Sequence, residues 1–223
     1  MKKLILALDE IQDLDEVLAL VKKIGHLFYA VKIHNLYDKY GPSVVDQIRG
    51  AGADKVWVDF KLYDIPNTGR LRAESINADI ISVHATGGLK MMEDIVKSGK
   101  EIFAVTALTS FSPEEVKNIY NNDVEIVVSN LARLAKEAGV AGVVCSPKEI
   151  KMLKTLTGLD GLKIVVPGIR SNGVSNNDQN RVGTPEQALA DGVDFLVIGR
   201  QITQAEDPEK EAMKLLEEVN LQA

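Results

Sequence analysis

Short apolar runs alternate with longer amphipathic stretches from one end of the chain to the other. Residues 4–8, 28–33, 56–60, 79–83, 102–107, 141–145, 162–166 and 195–198 are almost continuously hydrophobic. Runs of that length read as strands buried on both faces. Between them, residues 14–23, 42–50, 68–77, 89–97, 113–137, 147–157, 185–191 and 207–219 carry helical periodicity. Proline stands at or near five of the helix starts (Pro42, Pro113, Pro147, Pro185 and Pro208), where its fixed φ suits the first turn. Asn121-Asn122-Asp123 predicts a break in the longest helical stretch. Eight strand–helix units without a linker predict one α/β domain over residues 1–223, a closed (β/α)₈ TIM barrel. An open, doubly wound sheet is the structural alternative.

Polar residues gather where the apolar runs end. Asp9, Lys32, Asp59, His84, Thr106, Cys145-Ser146, Pro167-Gly168 and Gly199-Arg200 all fall at the C-terminal ends of the expected strands. The N-terminal ends read as carrying little comparable chemistry. Barrel enzymes build their sites at the C-terminal face, so the asymmetry predicts an active site there.

Composition narrows the partners. The chain has 223 residues, 45% of them hydrophobic, enough for a full core. A net charge of −6, with both signs mixed along the sequence, argues against nucleic acid as a partner. The apolar run after Met1-Lys2-Lys3 is too short for a signal peptide, and no stretch approaches a membrane span. The single cysteine, Cys145, excludes an internal disulfide, suits a reducing cytoplasm and reads as a small core residue.

The densest chemistry is Asp59-Phe60-Lys61-Leu62-Tyr63-Asp64-Ile65. Residues i and i+2 of a strand share a face, so Asp59 and Lys61 are expected to point the same way. Charges at the end of a buried strand cost desolvation energy, and such a cost is usually met where charges do chemistry. A structural ion-pair network is the bland alternative. Lys32, ending the neighbouring strand, brings a second ammonium to the same rim. Alternating Lys and Asp hold one another charged and set a proton donor beside a fixed carboxylate. Asp64 lies beyond the strand, facing either this pocket or another subunit's. Asp9 either caps the following helix or binds a hydroxyl. Gly199-Arg200 and Pro167-Gly168-Ile169-Arg170 offer backbone amides and guanidinium forks suited to a phosphate monoester. The long polar loop from Ser171 to Arg181 is either a lid or plain surface. Ser112 is placed to cap the helix that begins at Pro113. His34 shares a face with Lys32 and either lines the pocket or packs, while Trp57 reads as barrel filling. No metal-ligand cluster and no glycine-rich nucleotide loop appears.

Asp59-x-Lys61-x-x-Asp64-Ile65-Pro66-Asn67-Thr68, with Lys32 on the preceding strand, resembles the orotidine 5′-phosphate decarboxylase family. Pro167-Gly168-Ile169-Arg170, Asp178-Gln179 and Val197-Ile198-Gly199-Arg200 fit the same family in the same order, and the similarity runs over essentially the whole chain. Related sugar-phosphate decarboxylases and hexulose-phosphate synthases share the Asp-x-Lys-x-x-Asp core. They carry Glu in place of Lys32, continue Asp-Ala-Gly and use magnesium.

The resemblance implies loss of carbon dioxide from orotidine 5′-phosphate to give UMP, with no metal or organic cofactor. It makes Lys61 the proton donor, Asp59 the group set against the substrate carboxylate, and Lys32 and Asp9 ribose contacts. Thr109 and Ser112 match base contacts. Gln179 bridges phosphate and ring, and Pro167, Arg170, Gly199 and Arg200 form the phosphate site. A homodimer with shared active sites is implied too, Asp64 with Thr68 reaching into the partner's site. The family usually has Gly where this chain has His34. The competing functions are a magnesium-dependent sugar-phosphate lyase on the same scaffold and a catalytically silent phosphate-binding barrel.

Overall fold

The computed structural model describes residues 2–169 and 183–220. The first half of the chain runs β1 (Leu4–Ala7), α1 (Leu14–Ile24), β2 (Ala30–Ile33), α2 (Asn35–Tyr40), α3 (Ser43–Ala51), β3 (Val56–Leu62), α4 (Pro66–Ser75), β4 (Ile80–His84) and α5 (Leu89–Val96). The second half continues with β5 (Glu101–Val105), α6 (Pro113–Tyr120), α7 (Val124–Glu137), β6 (Gly142–Val144), α8 (Ile150–Thr155), β7 (Lys163–Val166), α9 (Pro185–Ala190), β8 (Phe195–Ile198), α10 (Arg200–Thr203) and α11 (Pro208–Asn220). The strands pair in sequence order, all parallel, and β8 closes on β1 through Leu4–Leu196, Ile5–Val197 and Leu6–Ile198. The chain is therefore a closed (β/α)₈ barrel, and the open-sheet alternative falls.

Two apolar layers explain why the strands read as unbroken hydrophobic runs. Leu4, Leu6, Val31, Ile33, Val56 and Val58 point outward into the layer beneath the helices. Ile5, Ala7, Ala30, Trp57, Ile80, Phe103, Val165 and Phe195 alternate with them and fill the barrel. A strand covered on both sides has no polar face to show in its sequence. The expected break after Tyr120 is real: Asn121 takes left-handed backbone (φ 53°) and ends α6, and α7 begins at Val124. Ser112 caps α6 in a capping box with Glu115, as its position suggested.

Three features depart from expectation. Helices α2 and α10 have no counterpart in the sequence reading, because one or two turns carry too little periodicity to register. Strand β3 runs on to Leu62, and its register against β4 shifts between Val58 and Leu62. The N-terminal face of the barrel is not poor in chemistry. There Glu101 accepts from Lys55 (2.8 Å), Lys163 (2.8 Å) and the Tyr29 hydroxyl (2.7 Å). Asp79 and Asp194 accept from the backbone amides of Val56 and Ile164. These charges sit just before or at strand starts, inside apolar flanks, where a pattern read for strand ends passes over them.

Candidate active site

The C-terminal mouth holds a cavity of about 370 Å³. Asp9, Lys32, Asp59, Lys61, Thr109, Pro167, Gly199 and Arg200 line it, so eight of the residues expected at the site come together from the ends of β1, β2, β3, β5, β7 and β8 and the turns that follow them. Asp64, Thr68 and Ser112 do not. Asp64 is exposed and takes the amide of Ile65 on its own carboxylate (2.7 Å); Thr68 is exposed on α4; the Ser112 hydroxyl caps α6. Arg170, Gln179 and the expected lid from Ser171 to Arg181 lie outside the described residues.

A row of alternating charges crosses the mouth. Lys32 Nζ donates to Asp9 Oδ2 (2.5 Å) and to Asp59 Oδ2 (3.1 Å), and Lys61 Nζ donates to the same Asp59 oxygen (2.9 Å). The fourth member in this chain is thus Asp9, not Asp64. Asp59 is 6% exposed and Lys32 5%. Burial by itself would push the Asp59 carboxyl up, but the Lys32 and Lys61 ammoniums and the Ser82 hydroxyl outweigh it and hold the group well below the ordinary carboxylate range. Burial likewise disfavours the Lys32 cation, and Asp59 and Asp9 reverse it, raising its pKa. Two carboxylates and two ammoniums cancel in formal charge, which lets the row persist in a pocket of low polarity.

Asp59 and Lys61 do converge, though not by simple strand alternation. Lys61 has left-handed backbone (φ 51°), which a lysine adopts at a conformational cost. That kink, at the register shift of β3, swings the ammonium back over Asp59. Ser82 on β4, fully buried, was not foreseen. Its hydroxyl donates to Asp59 Oδ1 (2.5 Å) and accepts from the Lys61 amide (3.0 Å). The only hint was a lone polar residue between Ile81 and Val83. His34 does not line the cavity; its Nδ1 donates to the Asp59 carbonyl oxygen (2.8 Å). His84, half-buried, has its pKa depressed by burial and then by Lys61, which favours the neutral ring. It meets Tyr63 edge to face.

Opposite the charge row lies an anion-ready corner. Gly168 has φ 76°, open to glycine alone without strain. A Cβ on Gly199 would stand 3.3 Å from the Ala7 carbonyl oxygen, so a side chain there would crowd β1. Arg200 follows at the start of α10, its Nε 3.4 Å from Glu10, which Gln204 also holds (2.6 Å). Glu10 lines the cavity as well, without a signal in the sequence pattern that singled it out.

Two lining atoms retain unused hydrogen-bonding capacity: Asp9 Oδ1 and Trp57 Nε1 are buried without a partner among the described residues. Unmet capacity of that kind is expensive unless a ligand or water completes it. Among the described residues, no group of three His, Cys, Asp or Glu converges as a metal-ligand set.

A closed barrel with an ion-paired acid and ammonium at its C-terminal mouth is a (β/α)₈-barrel enzyme. The chain belongs to the family described as Orotidine 5′-phosphate decarboxylase / HUMPS, whose sequence profile matches residues 2–215. It is similar to the orotidine 5′-phosphate decarboxylase of Syntrophomonas wolfei, at 39% identity covering 98% of both chains. The Staphylococcus epidermidis protein of the same name is 42% identical over 92% of each. Among solved structures, orotidine 5′-phosphate decarboxylase from Lactobacillus acidophilus superposes with a TM-score of 0.83 at 29% identity, covering 99% of this chain and all of that one.

Proposed function

We propose that this chain converts orotidine 5′-phosphate to UMP in pyrimidine biosynthesis, without a cofactor, with Lys61 as proton donor. The observation that carries the reading is Asp59, buried yet ionised, sharing one carboxylate oxygen between two ammoniums at the floor of an open cavity. The substrate carboxylate would lie against Asp59, and their repulsion is relieved as carbon dioxide leaves. The carbon–carbon bond breaks with its electron pair remaining on the ring carbon. No adjacent π-system delocalises that pair, so stabilisation falls to the nearby Lys61 ammonium. Lys61 then delivers a proton to the carbon. Lys32 and Asp9 hold ribose hydroxyls, and the free capacity on Asp9 Oδ1 supports that role. Thr109 contacts the base from the cavity wall. Gly168, Gly199 and Arg200, with Arg170 and Gln179, receive the phosphate, whose binding energy favours the transition state.

The donor set speaks against the magnesium-dependent alternative. Lys32 already occupies the space between Asp9 and Asp59, where a divalent ion would meet an ammonium 2.5 Å and 3.1 Å from the two carboxylates. The absorbance of orotidylate, followed with and without EDTA, tests the reading. Turnover indifferent to chelator is expected; no turnover, or turnover that EDTA abolishes, overturns it.

The working unit in this reading is a cytoplasmic homodimer, each copy a single barrel domain spanning residues 1–223. Support comes from the β3–α4 loop and α4: Tyr63 (65% exposed) and Ile65 (67%) in the loop and Leu71 (52%) on the helix present large apolar side chains in the segment that carries Asp64 and Thr68. Such a patch is costly in water and suits a second copy of the same chain. Asp64 would then complete the partner's charge row. Mixing inactive Asp64→Asn and Lys61→Ala proteins should restore activity through hybrid sites, and no recovery after confirmed subunit exchange would reject sharing.

A further inference from the structure

The proposed catalytic pair sits on an irregular piece of strand. Between Val58 and Leu62 the register of β3 against β4 shifts, and Lys61 adopts left-handed backbone. A residue held in that region persists only where its surroundings over-determine it. The ladder cannot do so here, because the shift interrupts it. Side chains brace this stretch from both flanks of β3. From β4, the Ser82 hydroxyl spends its one proton on Asp59 Oδ1 (2.5 Å) and accepts the Lys61 amide (3.0 Å). From the end of β2, His34 Nδ1 donates to the Asp59 carbonyl oxygen (2.8 Å). Among the described residues, Ser82 is the one whose hydroxyl bonds to both Asp59 and Lys61.

We propose that Ser82 is a positioning residue, whose single hydroxyl ties the Asp59 carboxylate to the Lys61 backbone and so fixes the ammonium over the reacting carbon. The proposal rests on the roles of Asp59 and Lys61 given above. Its chemistry requires one group that donates and accepts together, which only a hydroxyl of serine or threonine does at this reach. Asp59 Oδ2 is taken by the two ammoniums and Ser82 holds Oδ1, so the hydroxyl is what links the carboxylate to the neighbouring backbone. Loss of the hydroxyl would leave the charges present but misaligned, and small displacements of a reacting group cost rate far more than binding.

The full chain with Ser82→Ala and Ser82→Thr tests this. In Ser82→Ala, kcat for orotidylate should fall about 10- to 100-fold, the worth of one charge-assisted hydrogen bond, while UMP affinity stays within about twofold. Ser82→Thr, which keeps the hydroxyl, should recover most of the loss. A second readout needs no substrate: labelling of Lys61 by an amine-directed reagent, located by peptide mass mapping, should rise in Ser82→Ala and return in Ser82→Thr. Unchanged kcat or unchanged labelling in folded Ser82→Ala overturns the proposal. So does a fall in kcat matched by falls in UMP affinity and melting temperature, which marks a merely structural serine. Absence of orotidylate turnover in the unmutated chain would instead count against the proposed function, and the labelling result would still decide the serine.

Discussion

The two ends of this barrel carry nearly the same ingredients and use them differently. At the N-terminal face, Glu101 meets Lys55, Lys163 and Tyr29; at the C-terminal face, Asp59 meets Lys32, Lys61 and Ser82. Both carboxyls are pulled below their ordinary range against the opposing effect of burial. The difference lies in what surrounds them. Tyr29 stacks on Phe195 with ring centroids 4.2 Å apart, and the Lys55 ammonium lies 4.4 Å from the centroid of the Tyr29 ring, so the lower cluster ends in a plug. The upper row opens on a cavity and keeps two buried polar atoms without partners. A perturbed pKa is therefore no mark of a site on its own. Open volume and unspent hydrogen-bonding capacity beside it are what separate catalysis from closure.

Substitutions at each end should separate the two roles. Lys61→Ala should lower kcat by about 10⁴-fold or more, since in the proposed mechanism it removes both the charge facing the carbanion and the general acid. UMP binding and the melting temperature should stay close to those of the parent, because the side chain is a third exposed. Near-normal turnover would remove Lys61 from the mechanism.

Glu101→Gln should do the reverse, costing about 2 kcal/mol and about 5 °C in melting temperature with kcat per folded molecule unchanged. A loss of kcat without a loss of stability would break the comparison. The pH dependence carries a sign. Glu101 titrates lower in the folded chain than in the unfolded one, so its contribution is full above the unfolded value of about 4.5 and fades as pH falls through the folded value. Lys55 and Lys163 are raised, burial opposing and Glu101 prevailing. Their contribution is full below about 10.5 and fades as pH climbs through the folded values, muted by their exposure. Melting curves of Glu101→Gln should be flatter than those of the parent on both flanks.

The smallest effect is expected at Glu10, which faces Arg200 in the corner proposed for phosphate. Glu10→Gln should tighten UMP about two- to fivefold, the scale of a partly exposed ion pair, and leave uridine binding alone. An equal change for both ligands would detach Glu10 from the phosphate corner.

Much of this architecture is written in local pattern. Eight double-buried strands must read as apolar runs, and helices packed on one face must read as amphipathic, so the barrel and the residues at its strand ends were legible from periodicity. Lys32, Asp59, Lys61, Asp9 and Arg200 were legible because charge next to an apolar strand is costly enough to be conspicuous. Ser82 and the Glu101 cluster were not. A hydroxyl inside a strand has no periodic signature, and Lys55, Glu101 and Lys163 are 46 and 62 residues apart along the chain, joined only where three strand starts converge. The kink at Lys61 was hidden for the same reason: left-handed backbone on a lysine comes from what packs around it, not from its own preference. Burial pattern is a property of neighbours in sequence, whereas charge pairing and strain belong to neighbours in space, and barrel closure alone brings those together.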